Sequence, residues 1–196
     1  AMINDWRKKW GKDFPFYWVQ LANYMDVVEV PSESLWAQVR EAQTQTLSLS
    51  HTGQAVIIDI GEAKDIHPKN KQEVGRRLAL HALHNDYGFS DVVCESPMPK
   101  TVRRVQDKIV VQFDNVADGL IVKNKYGYLM SFAVAGNDGV YKWVQAKVAG
   151  KDRVVLSCPD VIDPVSVRYA WGDNPDDANL YNSVGLPATP FEIKIE

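Results

Sequence analysis

Cysteine is scarce: Cys94 and Cys158 are the only two in 196 residues, too few and too far apart for a disulfide framework or a thiolate metal site. They read as two buried thiols, with a single bridge as the alternative. Positive charge is not in excess either. The formal net charge is −3, and the longest basic cluster, Arg7-Lys8-Lys9, is short enough to be a solvated helix face. Nucleic acid is therefore not an expected partner. No apolar run approaches the roughly 20 residues of a membrane-spanning helix, and the opening AMINDWRKKW lacks the basic-then-apolar order of a signal peptide. A membrane is not an expected partner, and the compartment is not legible in the residues. Repeats and low-complexity segments are missing too.

What is present is material for a core. The chain is 45% hydrophobic and 24% charged, which predicts a soluble globular protein of one large or two small domains. Up to about residue 90 the pattern reads βαβα: FPFYWVQLA (14 to 22), SESLWAQVREAQTQTL (32 to 47), AVIIDI (55 to 60) and NKQEVGRRLALHAL (70 to 83). Leu35, Val39, Ala42 and Thr46 fall on one stripe at helical spacing and should cover a sheet face, with Ser32 or Ser34 as N-cap. AVIIDI has the near-continuous apolar run of a parallel strand buried on both faces. Asn70, with Glu73 three residues on, predicts the start of the second helix, which should stop near NDYG.

Beyond residue 90 the helical period disappears. KIVVQF, GLIVK, YLMSFAVA, KWVQAKV, RVVLSC and VSVRYAW are strand-like runs separated by turn residues. In the last run Val165, Val167, Tyr169 and Trp171 alternate with Ser166, Arg168 and Ala170, predicting one packed and one wetter face. The expected fold is α/β plus all-β, with residues 1–90 in the first unit and 91–196 in an antiparallel β-sandwich-like domain.

The segment KDIHPKNKQEVGRRL, residues 64 to 78, follows the AVIIDI strand, and open α/β sheets place reactive residues at such strand ends. A near-neutral imidazole at His67 can accept a proton from a hydroxyl, and a carboxylate beside it fixes its tautomer and stabilises the imidazolium. Asp65 is the nearest acid in sequence, with Glu62 and Asp59 in reserve. An ordinary polar loop with a favourable charge near a helix terminus is the plainer reading. His81 and His84 lie three apart on a helix, but no third metal ligand is placed with them, and histidines in a last turn already suit the helix dipole. No metal is expected. Gln20 and Asn23, at the end of FPFYWVQLA, would line an acyl or sugar pocket or cap the strand end. Trp6, Trp10, Trp18 and Trp36 read as packing; Trp171 and Tyr181 are better placed for stacking on a sugar, although core packing suits them as well.

Three blocks, DWRKKWGKDFPFYWVQLANY, DIGEAKDIHPKNKQEVGRRLALHAL and VSVRYAWGDNPDDANLYNSVGLPATPF, resemble the sialate O-acetylesterase family of SGNH (GDSL-like) hydrolases in sequence and order. The resemblance implies a serine hydrolase that removes O-acetyl groups from sugars, sialic acid among them, with no metal or cofactor. It further implies an SGNH-type three-layer α/β/α domain and a secreted or periplasmic bacterial location. The family's Asp and His before a proline correspond to Asp65, His67 and Pro68; many SGNH enzymes carry the acid three residues before the histidine, where this chain has Lys64. The family's nucleophile block, Gly-Gln-Ser-Asn, does not occur, and none of the ten serines follows a strand in a glycine-flanked turn. On this reading the chain is the C-terminal part of a longer esterase and is inactive alone. Its partners are an O-acetylated sugar and either the missing N-terminal part or a second copy meeting it through residues 1–90. The alternative is a non-catalytic module that binds glycan or another domain.

Overall fold

Phe16–Val19 (β1) and Thr52–Ala55 (β2) pair in parallel, Phe16 opposite Thr52 and Val19 opposite Ala55, in the computed structural model, which describes all 196 residues. Three helices accompany this pair: Met2–Trp10 (α1), Leu35–Gln45 (α2) and Lys71–Asn85 (α3). Arg7 fastens α1 to both strands' entry points, donating to the carbonyls of Phe14, Ser50 and His51 at 3.0 Å each. Helix α3 lies across β1 and β2 so closely that a Cβ on Gly53 would meet His81 Nδ1 at 2.6 Å and Tyr17 Cδ1 at 2.9 Å, leaving room for glycine alone. Asn70 caps α3, its Oδ1 accepting from the Glu73 amide at 3.1 Å, and the helix ends at Asn85 as the NDYG signal predicts.

Helix α2 is rotated from the expected orientation. Leu35 and Val39 are 79% and 47% exposed, while Ala37 and Arg40 are its buried residues. Arg40 sets this rotation. Its guanidinium is fully buried and donates to the carbonyls of Leu21 (2.9 Å), Ala22 (2.8 Å), Gly172 (2.5 Å) and Asp173 (2.9 Å). Leaving such a group unpaired inside the protein costs more than exposing two aliphatic side chains, so the polar face turns inward. Burial pulls the Arg40 pKa down to about 10, which leaves it charged at neutral pH. Of the two serines expected to cap this helix, Ser34 does so: its Oγ accepts from the Ala37 amide at 2.9 Å and donates to Asp173 Oδ1 at 2.5 Å. Thr46 lies past the helix in a short 3₁₀ turn, Thr46–Ser48.

The strand expected at 55 to 60 begins three residues earlier and stops at Ala55. Val56, Ile57 and Ile58 are buried without ladder pairing, and Val56 and Ile58 point into the core of the C-terminal half. Their apolar run reflects that second core rather than a longer strand.

From residue 98 the fold is antiparallel. Met98–Val105 (β3), Lys108–Asp114 (β4), Leu120–Val122 (β5), Phe132–Ala135 (β6), Tyr141–Trp143 (β7), Gln145–Ala149 (β8), Arg153–Ser157 (β9), Ser166–Tyr169 (β10), Leu180–Asn182 (β11) and Phe191–Lys194 (β12) follow in order. Two four-stranded sheets, β3-β4-β9-β8 and β12-β10-β6-β7, share one core, and β11-β5 forms a short ribbon beside them. Val111, Phe113, Val154 and Leu156 of one sheet meet Phe132, Val134, Val167, Tyr169 and Phe191 of the other. Phe132 and Tyr169 stack with centroids 4.7 Å apart, and Phe113 meets Phe191 edge-on at 6.0 Å. This is the expected α/β unit followed by a β-sandwich.

Several strand readings need correction. YLMSFAVA contributes only Phe132–Ala135, because Ser131 sits at φ 65° and breaks the extended run. KWVQAKV divides at Val144 into two strands that belong to different sheets. The expected wetter face of β10 is covered: Ser166 and Arg168 are 8% and 5% exposed. Arg168 donates to Glu192 and to Glu33 at 2.7 Å each and lies 3.8 Å over the Tyr141 ring, so the loop before α2 closes this face. No helix is long and apolar enough to cross a membrane.

Candidate active site

After Ile58 the chain turns through a loop held from both halves of the molecule. The Gly61 amide donates to Asn23 Oδ1 at 2.7 Å, and a Cβ there would come within 2.2 Å of that oxygen and of the Asn23 carbonyl, so only glycine fits. The Met25 amide donates to the Ala63 carbonyl at 2.9 Å. Pro68 is buried and seats the loop's end before Asn70 starts α3. Between these anchors Asp65 Oδ1 accepts from the His67 amide at 2.9 Å and stands 3.5 Å from His67 Nδ1. The bond from the His67 amide holds the Asp65 carboxyl below the usual aspartate range, so it is an anion beside the imidazole at neutral pH. The His67 side chain is 83% exposed, its Nε2 free to face a substrate or another group.

The two reserve acids are occupied. Asp59 makes a bidentate pair with Arg77, Oδ1 at 2.6 Å and Oδ2 at 2.8 Å, and accepts from the Tyr181 hydroxyl at 3.2 Å. Arg77 also donates to the Val56 carbonyl at 2.6 Å and to Glu73 at 2.8 Å, closing a buried network between the loop, α3 and β11. Glu62 accepts from Lys69 Nζ at 2.9 Å. Asp65 is thus the one of the three carboxylates that lies against His67. No serine hydroxyl is hydrogen-bonded to that imidazole: Ser34, Ser131 and Ser166 are engaged with Asp173, Asp177 and Tyr141.

Asn23 reaches this loop and Gln20 does not. Asn23 is buried between Gly61 and Asn174, whose Oδ1 accepts from Asn23 Nδ2 at 2.8 Å. Gln20, 1% exposed, lies under α2 and donates to the Arg40 carbonyl at 3.2 Å and Thr44 Oγ1 at 3.0 Å. His81 is stacked on Tyr17 and hydrogen-bonded to the Gln54 carbonyl at 3.0 Å, and His84 meets the Val92 carbonyl at 2.7 Å, so each ring has its own backbone partner. Trp171 and Tyr181 are both 6% exposed. Cys94 and Cys158 are free and buried.

The residues that sequence reasoning missed are Arg40, Asp173 and Asn174. Asn174 Nδ2 donates to the Met25 carbonyl at 2.7 Å, and the Tyr24 amide donates to the Asp173 carbonyl at 3.1 Å. Together they tie residues 21–25, and through them the His67 loop, to the far end of the chain. The Asn-Pro pair at 174–175 signals a turn, but nothing local announces its partners.

No family model matches the chain. Among curated proteins it is 28% identical to the sialate O-acetylesterase of Pongo abelii over 218 residues, covering 97% of this chain and 40% of that protein. It is 28% identical to the sialate O-acetylesterase of Mus musculus over 224 residues, covering 99% of this chain and again 40% of the relative. Among solved structures, the crystal structure of a carbohydrate acetylesterase from Xanthomonas citri superposes with a TM-score of 0.90 at 44% identity, covering 98% of this chain and 44% of that one. The chain therefore spans less than half the length of the proteins it matches. In sequence and fold this chain is similar, along nearly its whole length, to part of these acetylesterases.

Proposed function

We propose that the chain forms part of a serine-type carbohydrate O-acetylesterase, to which it contributes His67 as general base and acid and Asp65 as the residue that orients it. The observation that carries this reading is the isolation of the pair. Asp65 is 3.5 Å from His67 Nδ1, while Asp59 and Glu62 are held by Arg77 and Lys69. The names of the relatives support an acetylated sugar as substrate. In such an enzyme His67 takes the proton of a serine hydroxyl as that oxygen attacks the acetyl carbonyl, gives it to the sugar oxygen as the ester bond breaks so that the sugar leaves with a free hydroxyl, and activates the water that clears the acetyl-enzyme. The serine comes from outside these 196 residues, since no hydroxyl of the chain is bonded to His67.

The exposed surface supports a partner on the α/β side. Leu35, Trp10 and Trp6 are 79%, 70% and 41% exposed, and the two-stranded parallel pair leaves strand edges open. The N-terminal portion of the esterase domain, or a second copy, would cover them. Hydrolysis of p-nitrophenyl acetate tests the reading. The chain alone should do no better than free imidazole, and in the complete enzyme His67→Ala should lower kcat by roughly three orders of magnitude or more. Near-full activity of that variant would leave the chain as a non-catalytic module.

A further inference from the structure

Where residues 27–29 lean on the β-sandwich lies a cavity of about 270 Å³. This is near the small end of ligand sites and fits one ring better than a chain of them. Trp143 forms one wall. Its indole N–H donates to the Glu29 carbonyl at 2.9 Å, which fixes the ring's orientation, and the residue remains 45% exposed. Met130, Val28 and Trp171 extend the apolar lining. Ser131 and Ala170, also in the lining, hold φ of 65° and 50°, a region that costs a non-glycine residue free energy, and they are bonded to each other, Ala170 N to Ser131 O at 3.0 Å. Strain of this kind concentrates where a surface is shaped for a ligand. Ser131 Oγ donates to Asp177, which leaves the second carboxylate oxygen of Asp177 without a partner.

The charge of the lining selects the ligand. Glu29 and Asp177, both acidic, are the charged residues of the lining, and no lysine, arginine or histidine is present. An anion would meet repulsion with no compensating cation, whereas hydroxyl groups can donate to both carboxylates. An aromatic face beside hydroxyl acceptors matches a pyranose, whose C–H face packs on the π-system while its hydroxyls reach the rim. We propose that this cleft is a subsite for an uncharged sugar ring, packed on Trp143 and hydrogen-bonded by Glu29 and Asp177. The choice of a sugar as ligand class rests on the esterase reading above; the preference for an uncharged one comes from the lining. Hydrogen bonds from Asn174 of the lining to Met25, and from Met25 to Ala63, link its rim to the loop that carries His67.

Two-dimensional NMR of the 196-residue chain, following the Trp143 indole N–H and the Met130 methyl, tests the site with methyl glucoside, galactoside and xyloside against methyl sialoside. At least one neutral glycoside should shift both signals saturably with a dissociation constant on the order of millimolar, and the sialoside should bind at least tenfold more weakly. Trp143→Ala and Val28→Trp should each abolish the shift of Met130. Val28 is 42% exposed, so filling the cleft from there does not disturb the core, and that variant decides the matter should Trp143→Ala fail to fold. Absence of saturable binding by every neutral glycoside, equal binding of the sialoside, or binding that survives Val28→Trp overturns the proposal. His67→Ala should leave binding unchanged. Glycoside binding by the chain together with near-full hydrolytic activity of His67→Ala in the complete enzyme would sink the catalytic reading and keep the subsite, whereas no binding together with an inactive His67→Ala would do the opposite.

Discussion

Replacing Asp59 and Asp65 by asparagine, one at a time, separates the acid that holds the fold from the acid assigned to catalysis. Asp59 and Arg77 have side chains only 10% and 4% exposed, and their two bonds of 2.6 and 2.8 Å are the bidentate core of the buried network. Removing one partner of a buried pair costs about 3–5 kcal/mol because the other charge stays behind without compensation. Arg77 keeps Glu73 at 2.8 Å and the Val56 carbonyl at 2.6 Å, which places Asp59→Asn at the lower end, about 3 kcal/mol. For a chain of this size each kcal/mol moves the melting temperature by about 2–4 °C, so the loss should be roughly 6–12 °C. The Asp65 side chain is 47% exposed and solvated, and Asp65→Asn should leave the melting temperature unchanged. In the complete enzyme the order reverses: Asp65→Asn should lower kcat about a hundredfold or more, less than His67→Ala, by releasing the imidazole from its oriented tautomer. Thermal unfolding followed by circular dichroism, paired with aryl acetate kinetics, reads both. Melting of Asp59→Asn within about 2 °C of wild type would refute the energetic reasoning. A catalytic loss larger for Asp59→Asn or Glu62→Gln than for Asp65→Asn, at a temperature where all are folded, would move the acid's role away from Asp65.

Acid should destabilise the chain in two stages. Burial holds the His81 pKa below that of a free imidazole, so the unfolded chain takes up a proton that the folded one refuses; stability is complete above about pH 6.5 and declines below it, and His81→Asn should remove this first stage in urea titrations at stepped pH. Glu73, pulled down to about 2 chiefly by its bonds from Arg76, contributes above about pH 4.5 and is lost between there and about 2, a second stage that Glu73→Gln should abolish. Tyr169→Phe should cost about 1–3 kcal/mol in chemical denaturation, because the buried Tyr169 hydroxyl accepts from the Leu180 amide at 3.0 Å and no water can replace it. Burial raises both thiols, Cys94 to about 11, so an aromatic disulfide reagent at neutral pH should label neither in the native chain and both once urea is added.

Much of the fold is local and was readable. Ser34 and Asn70 cap helices through bonds to residues three positions on, and Lys108–Asp114 and Arg153–Ser157 carry strand propensity along their whole lengths. What failed to read depends on partners distant in sequence. Leu35 and Val39 point outward because Arg40 finds Gly172 and Asp173 more than 130 residues away, and hydrophobic spacing carries no record of that competition. Strand β3 was hidden by Pro97, Pro99 and a run of basic residues, and a bulge between Pro99 and Thr101 absorbs the second proline. The closeness of Asp65 and His67 is an i, i+2 relation and visible at once, whereas the engagement of Asp59 by Arg77 spans 18 residues and a helix. The cleft beside Trp143 draws on four separate segments, and nothing in the sequence sets them side by side.

The Arg40 clamp also orders events in time. During synthesis the guanidinium leaves the ribosome more than 130 residues before the carbonyls of Gly172 and Asp173, a delay of roughly 7–27 s at about 5–20 residues per second. Until then helix α2 has only Leu21 and Ala22 to satisfy a charge that the finished molecule buries completely, so its polar face stays in water and the turn that holds Asn23 and Gly61 stays loose. The loop bearing His67 therefore sets only after the sandwich has delivered residues 172–174, although it is made well before them.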